Sequence, residues 1–312
     1  MTAGGGGPLS AIPNVALVTV RAARALDEDL FPLQAALQAA GAHVEVLDWD
    51  DPAADWSRFD LALLRSTWDY TDRLHEFLAW SERVSGLTAL HNSAATVRWN
   101  TDKHYLDELY RAGVAVVPSV FIDPPGDGEQ GVERFLARFP TPEFVVKPAV
   151  GAGSRDALRL KRADLAVAAT HAQRLLDANR SVLLQPYLDR VDDYGETALI
   201  FFGGRFSHAI RKGPMLGPLA AAAPLSNNNG LFVSEDITPR VPAADELQVA
   251  HAVLASLPFE MPVYARVDLI RDEAGAPVLL ELELTEPSLF FAHAPGAAAR
   301  FAQTLLGKAP RC

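Results

Sequence analysis

Tyr264-Ala265-Arg266-Val267-Asp268-Leu269-Ile270, a polar segment over 271–277, and Leu279-Leu280-Glu281-Leu282-Glu283-Leu284 form the stretch on which the fold of this 312-residue chain turns. Apolar and charged residues alternate in both runs. That is the period of a β-strand, whose side chains point to its two faces in turn. Arg266 and Asp268 therefore share one face, as do Glu281 and Glu283. The segment between the runs contains Gly275 and reads as a hairpin turn. With the turn centred near Ala274-Gly275, Asp268 falls opposite Glu281 and Arg266 opposite Glu283. Three carboxylates and a guanidinium then meet on one patch. Like charges on adjacent strands repel without a cation. Mg²⁺ takes oxygen ligands and bridges one or two carboxylates to substrate phosphates. Asp268, Glu281 and Glu283 are thus candidate metal ligands, and an ordinary charged, solvent-facing sheet is the alternative.

Outward from this hairpin, Thr197–Phe202 and Phe206–Lys212 also read as antiparallel strands, with Asp245–Leu257 as a helix. Lys212 would end its strand either facing a cleft or in solvent. The Pro/Ala/Asn-rich segment 214–230 has the length of a lid, and its Asn227-Asn228-Asn229-Gly230 would either close over a ligand or make an ordinary turn. Further upstream stands Phe144-Val145-Val146-Lys147-Pro148-Ala149-Val150-Gly151-Ala152-Gly153-Ser154. An apolar strand delivers Lys147, and a loop of small residues follows, through which backbone N–H groups approach a polyphosphate closely. A tight turn with a solvated lysine is the competing reading. Leu183-Leu184-Gln185-Pro186-Tyr187-Leu188 ends a strand over Ser181–Gln185, and its backbone edge could pair with a purine.

The first third alternates strand and helix: Val15–Val20, Leu30–Ala40, Val44–Leu47, Leu61–Leu64 and Arg73–Val84. This order predicts a small parallel sheet with crossover helices, whose ligands sit beyond the strand C-termini. Arg65-Ser66-Thr67 follows the third strand there. It is a candidate clamp for a substrate carboxylate or amine, with helix capping as the alternative for Ser66 and Thr67. Trp68, Tyr70 and His208 read as packing or structural residues. Helices over Asp102–Arg111, Val132–Phe139 and Ala163–Leu176 and a strand over Val116–Ile122 complete the middle.

Composition narrows the function classes. A net charge of -11 makes nucleic acid an unfavourable partner. The single cysteine, Cys312, leaves the body of the chain without a thiolate nucleophile or a disulfide. Residues 1–13 have neither a basic start nor an apolar run, so they read as a disordered start rather than a signal peptide. No run reaches the ~18 apolar residues of a membrane span. A cytoplasmic enzyme with no membrane partner is the expectation.

Taken together, Lys103 in Asn100-Thr101-Asp102-Lys103, Lys147 with its loop, the Gln185–Leu188 hinge, Gly195-Glu196, Arg266-x-Asp268 and Glu281-x-Glu283 resemble the ATP-grasp superfamily along nearly the whole chain from Val15. The resemblance implies an α/β chain in which an N-terminal parallel domain (14–98) precedes two α+β subdomains (99–188 and 189–312) that clasp ATP. It implies Lys103 and Lys147 on the phosphates, with Gly151, Gly153 and Ser154 of the small-residue loop. Gln185, Tyr187 and Leu188 would line the adenine slot and Glu196 would bind ribose. Mg²⁺, or Mn²⁺, would rest on Asp268, Glu281 and Glu283, and Arg266 and Lys212 would act on the γ-phosphoryl group. Many relatives carry Asn where Glu283 stands. Arg65-Ser66-Thr67-Trp68-Asp69-Tyr70 and Leu284-Thr285-Glu286-Pro287-Ser288-Leu289-Phe290 are similar to a glutathione-synthetase-like branch, which includes the cyclo-ligation of O-ureido-D-serine to D-cycloserine. The implied activity is a carboxylate–nitrogen ligase that works through an acyl phosphate on a small amino-acid-like substrate, by ring closure or by linear ligation. The sequence leaves both a monomer and a homo-oligomer open. A small-molecule kinase and a non-catalytic nucleotide binder are the other classes the motifs allow.

Overall fold

The computed structural model describes residues 12–217 and 236–307. Of the start expected to be disordered (1–13) all but Ile12 and Pro13 lies outside the described residues, as do the expected Asn227–Gly230 closure and Cys312.

Strands β1 (Asn14–Thr19), β2 (His43–Asp48), β3 (Leu61–Leu64) and β4 (Ala89–His91) form a parallel sheet in the order β2-β1-β3-β4. Helices α1 (Leu30–Ala39) and α2 (Leu74–Ser85) are the crossovers. Strand β1 is apolar on both faces because both are covered. Val15 and Leu17 pack with Leu30, Leu33 and Leu37 of α1, while Ala16 and Val18 pack with Phe77 and Trp80 of α2. Helices α3 (Ala94–Asn100) and α4 (Tyr105–Arg111) lead out of this unit.

The middle of the chain holds β5 (Val120–Ile122), α5 (Gly128–Arg138), β6 (Glu143–Pro148), β7 (Leu158–Lys161), α6 (Leu165–Asp177) and β8 (Val182–Pro186). Its antiparallel sheet runs β5-β8-β6-β7, with α5 and α6 packed on it through Phe135, Ala168 and Leu175. Asp127 starts α5 four residues before the apolar run suggested, because its carboxylate accepts from the Gln130 amide at 2.9 Å. The run Val116–Ile122 is not one strand. Val117 donates to the Leu279 carbonyl at 2.9 Å, whereas Val120–Ile122 pairs with β8, in a different sheet. Pro118 sits between them and has no N–H with which to continue a ladder.

The last unit contains α7 (Arg190–Asp193), β9 (Glu196–Phe202), β10 (Arg205–Lys212), β11 (Ile237–Arg240), α8 (Ala244–Ala255), β12 (Tyr264–Arg271), β13 (Pro277–Glu283) and α9 (Ala297–Leu305). The five strands form an antiparallel sheet in the order β11-β10-β9-β12-β13. Arg266 pairs with Glu283 and Asp268 with Glu281, as the alternation predicts, and a bulge follows Asp268. One face of this sheet joins the N-terminal unit: Ile200, Phe202 and Tyr264 share a core with Val15, Leu17, α1 and Phe301 of α9. No helix among the described residues is long and apolar enough to cross a membrane.

Candidate active site

A cleft lies between the two antiparallel sheets, and its wall includes Lys103, Lys147, the 151–155 loop, Gln185–Leu188, Glu196, Lys212, Arg266, Asp268, Glu281 and Glu283. Every one of the nucleotide, metal and phosphoryl candidates named from the sequence therefore faces one space.

Backbone pairing explains why β13 presents its carboxylates there. Its outer edge carries no further strand, yet its groups are taken one by one. Leu279 pairs with Ala115 and Val117, the Leu282 amide donates to the Tyr105 hydroxyl at 2.9 Å, and the Asn100 amide nitrogen donates to the Leu282 carbonyl at 2.7 Å. The Leu284 amide returns to the Asn100 Oδ1 at 2.7 Å. An edge closed in this way has one register, so Glu281 and Glu283 are held on the cleft face. Gly195 sets the opposite wall. It turns the chain from α7 into β9 at φ +78°, and a Cβ there would lie 2.6 Å from the Lys212 carbonyl, so only glycine lets Glu196 and Lys212 come side by side.

The charged groups form a chain. Lys212 bonds Asp268 at 2.9 Å and also Glu196; Arg266 bonds Asp268 through Nε at 2.9 Å and also Glu283; Lys103 bonds Glu281 at 2.8 Å and the Gly151 carbonyl at 2.9 Å. Asp268 is 1% exposed. Burial favours its neutral form, but Arg266 and Lys212 overcome this and hold it well below the usual carboxylate range. Glu283 is pushed up to about 7 by burial, with Asp268 and Glu281 adding to the effect against Arg266. Glu196 rises to about 8 by burial and the nearby Asp268, against the pull of Lys212. Burial lowers Lys147 to about 8; Glu281 partly offsets this and Lys103 adds to it.

Repulsion among clustered carboxylates is one reason to expect a metal from the sequence, and the structure corrects that reason. Lys103, Lys212 and Arg266 already neutralise the cluster. No three His, Cys, Asp or Glu side chains among the described residues are gathered into a ready-made metal cage. A cation arriving together with phosphates fits this arrangement, since the phosphates would draw the lysines and the arginine away and leave the carboxylate oxygens free.

The small-residue loop is held from three sides. Arg155 bonds Asp72 of the N-terminal unit (2.8 Å from Nη1), Asp156 is clamped by Arg174 and Arg180 at 2.7 Å each, and Ser154 approaches Met215 at 3.9 Å. Ser154 and Asp156 both adopt the left-handed backbone, a conformation that persists where surrounding contacts impose it. At the hinge, Gln185 donates to Ser119 at 3.0 Å. The Tyr187 amide is taken by the Glu143 carbonyl at 3.0 Å, while the Leu188 amide has no backbone partner among the described residues.

Arg65, Ser66 and Thr67 do not line the cleft, which corrects the expected substrate clamp. All three are 1% exposed or less. The Ser66 hydroxyl meets Thr19 at 2.6 Å, and Thr67 makes no side-chain cap. Arg65 pairs with Asp27 and Asp29 at 3.5 and 3.8 Å. Asp29 in turn accepts from the amides of Leu289 (2.6 Å), Phe290 (3.0 Å) and Phe291 (2.8 Å). The motif therefore acts on the cleft at one remove, by fixing the chain after Glu286. Asp29→Ala is expected to destabilise the protein by about 3 kcal/mol or more, because it strands three amides and removes one of the two carboxylates beside a buried guanidinium. Denaturant unfolding checks this, and an unchanged midpoint would remove the strut. Trp68 and Tyr70, which read as packing residues, do line the cleft, as do Glu286 and Ser288. No local pattern shows this, since only the fold brings 68–70 beside 286–288. His208 is structural as expected: it meets the Leu289 carbonyl at 2.8 Å, and burial lowers it to about 4.

Comparison with known proteins places this geometry. Residues 15–92 match the family model described as D-cycloserine synthetase DcsG, N-terminal domain. The cycloserine biosynthesis protein DcsG of Streptomyces lavendulae is 42% identical over 294 residues, covering 93% of this chain and 97% of that protein. The crystal structure of D-cycloserine synthetase DcsG superposes with a TM-score of 0.87 at 41% identity, over 95% of this chain and 99% of the other. D-alanine–D-alanine ligase from Bacillus anthracis, solved with ATP, shares the fold alone: TM-score 0.66 at 17% identity, with 95% of each chain covered.

Proposed function

The chain belongs to the D-cycloserine synthetase DcsG family of ATP-grasp ligases, and from that premise we propose that it activates the carboxylate of O-ureido-D-serine with ATP and closes it onto the oxygen-bound nitrogen of the same molecule, phosphate leaving from the acyl carbon and the carbamoyl group leaving by hydrolysis as carbon dioxide and ammonia. The observation that carries this reading is the cleft in which the Gly151–Ser154 loop, the Gln185–Leu188 strand end and the chain Glu196–Lys212–Asp268–Arg266–Glu283 meet.

A carboxylate is a poor electrophile because oxide would have to leave. Phosphorylation supplies a phosphate leaving group, and the transfer needs positioning and charge neutralisation rather than an enzyme nucleophile. In this reading Lys103 and Lys147 grip the phosphates under the Gly151–Ser154 loop. Gln185, Tyr187 and Leu188 frame adenine, with the Leu188 amide as the hinge donor. Arg266 and Lys212 turn from Asp268 toward the γ-phosphoryl group, and Glu196, released from Lys212, receives the ribose hydroxyls. Asp268, Glu281 and Glu283 would hold Mg²⁺, which neutralises phosphate charge when bound; Mn²⁺ has the same liking for oxygen donors. Ring closure within one substrate needs mainly orientation.

The test is ADP release across a panel of O-ureido-D-serine, amino acids and dipeptides, with hydroxylamine present in parallel. O-Ureido-D-serine is expected to be preferred and to yield a hydroxamate, the mark of an acyl phosphate. ADP release with neither a ring product nor a hydroxamate would indicate a kinase, and a preferred dipeptide or amino-acid pair would indicate linear ligation.

A further inference from the structure

Glu286 is 8% exposed, lines the cleft, and has no lysine or arginine within ion-pair distance among the described residues. Every other acidic group named on this wall has such a partner. Its carboxylate is approached by the Tyr70 hydroxyl, and its backbone carbonyl accepts from the Trp68 indole at 3.2 Å. A buried carboxylate without a counter-charge is costly. Consistent with that cost, burial and the neighbouring Glu283 push Glu286 up to about 8.

The backbone that carries Glu286 leaves it little freedom. Tyr264 donates to the Thr285 carbonyl at 2.7 Å, Arg266 to the Ser288 carbonyl at 3.2 Å, and Asp29 takes the next three amides. The polar contacts of this loop are spent on holding it, while the Glu286 side chain faces the cleft beside two aromatic rings. A carboxylate next to indole and phenol rings is the chemistry that receives an alkylammonium, by ion pairing and by cation–π attraction. The guanidinium of Arg266 on the same wall carries the opposite charge, so an acid with an ammonium group on a neighbouring carbon meets complementary charges at both ends.

We infer that Glu286, flanked by Trp68 and Tyr70, is the receptor for the ammonium group of the substrate and makes the site selective for α-amino acids over simple carboxylic acids. The assignment rests on the acyl-phosphate ligase reading and adds the group by which the substrate is chosen. No residue of the sequence motifs that carry ATP performs this task.

The experiment compares hydroxamate formation from O-ureido-D-serine and from its des-amino counterpart, 3-(ureidooxy)propanoate, by the wild-type protein, Glu286→Gln and Tyr70→Phe. The wild type is expected to prefer the amino acid by about a hundredfold in kcat/KM. Glu286→Gln should bring that preference to within a few-fold, mainly through KM, while its affinity for an ATP analogue changes less than threefold and so reports an intact fold. Tyr70→Phe keeps the ring and should lose only part of the preference. A Glu286→Gln variant that keeps the full preference, or that loses both substrates equally, overturns the assignment while the ligase reading stands. A wild type that yields neither ring product nor hydroxamate from any carboxylate overturns both.

Discussion

Asp268→Asn is expected to lower ADP release by three orders of magnitude or more. Asp268 is the most buried carboxylate of the cleft and the one to which both Lys212 and Arg266 are bonded. Losing its charge leaves two buried cations with Glu196 and Glu283 alone. The cations then lose their alignment toward the transferring phosphoryl group. Removing one group aligned to transition-state charge costs about 10²–10³ in rate, and Asp268 sets two such groups and offers oxygen to the metal. Steady-state ADP release with saturating MgATP checks this. Normal release by the variant would remove Asp268 from both roles.

The second large effect concerns Lys147. It lines the cleft at the end of β6 with no ion-pair partner among the described residues. Lys147→Ala should weaken the binding of a non-hydrolysable ATP analogue by about a hundredfold, the scale of a charge-assisted hydrogen bond in a partly dry site. Calorimetric titration reads it directly, and an unchanged Kd would end the phosphate assignment. The pH dependence follows from its lowered value. Burial brings Lys147 to about 8 in the free protein, and a bound polyphosphate favours the ammonium form. Below pH 8 the group is already charged, so this contribution is level. As pH rises above 8 binding must first take up a proton, and affinity falls by up to tenfold per pH unit. Lys147→Arg, which stays charged, should flatten this slope.

The hairpin was legible because a strand's two-residue period places Arg266, Asp268, Glu281 and Glu283 without any long-range information, and the observed register agrees with it. The parallel N-terminal sheet was legible for a similar reason: strand and helix alternate in a fixed order. Strand β7, with its Leu-Arg-Leu-Lys sequence, and the short β4 and β11 are too brief to show a period, and α9 is an alanine-rich segment whose Phe301 matters only once the N-terminal core meets it. The placement of Arg65 has the same origin. A basic residue after a parallel strand is the right chemistry for a ligand, and the fold sets it beside Asp27 and Asp29 at 3.5 and 3.8 Å, neighbours that no local pattern announces. Conversely, Glu286 carries no role of its own in the sequence reading, where it stands only inside the 284–290 segment of the family resemblance. Its exposure to the cleft and its missing counter-ion are properties of the assembled walls.

The tie from Arg65 through Asp29 to residues 289–291 bears on how such enzymes can be recombined. The segment proposed to receive the substrate belongs by sequence to the C-terminal third and by anchorage to the N-terminal unit. An exchange of N-terminal modules between relatives would bring in a foreign socket for a resident peg. Chimaeras cut between residues 92 and 99 should recover only when positions 286–291 travel with the incoming module, so the heritable unit of specificity is a discontinuous pair of segments and not a domain.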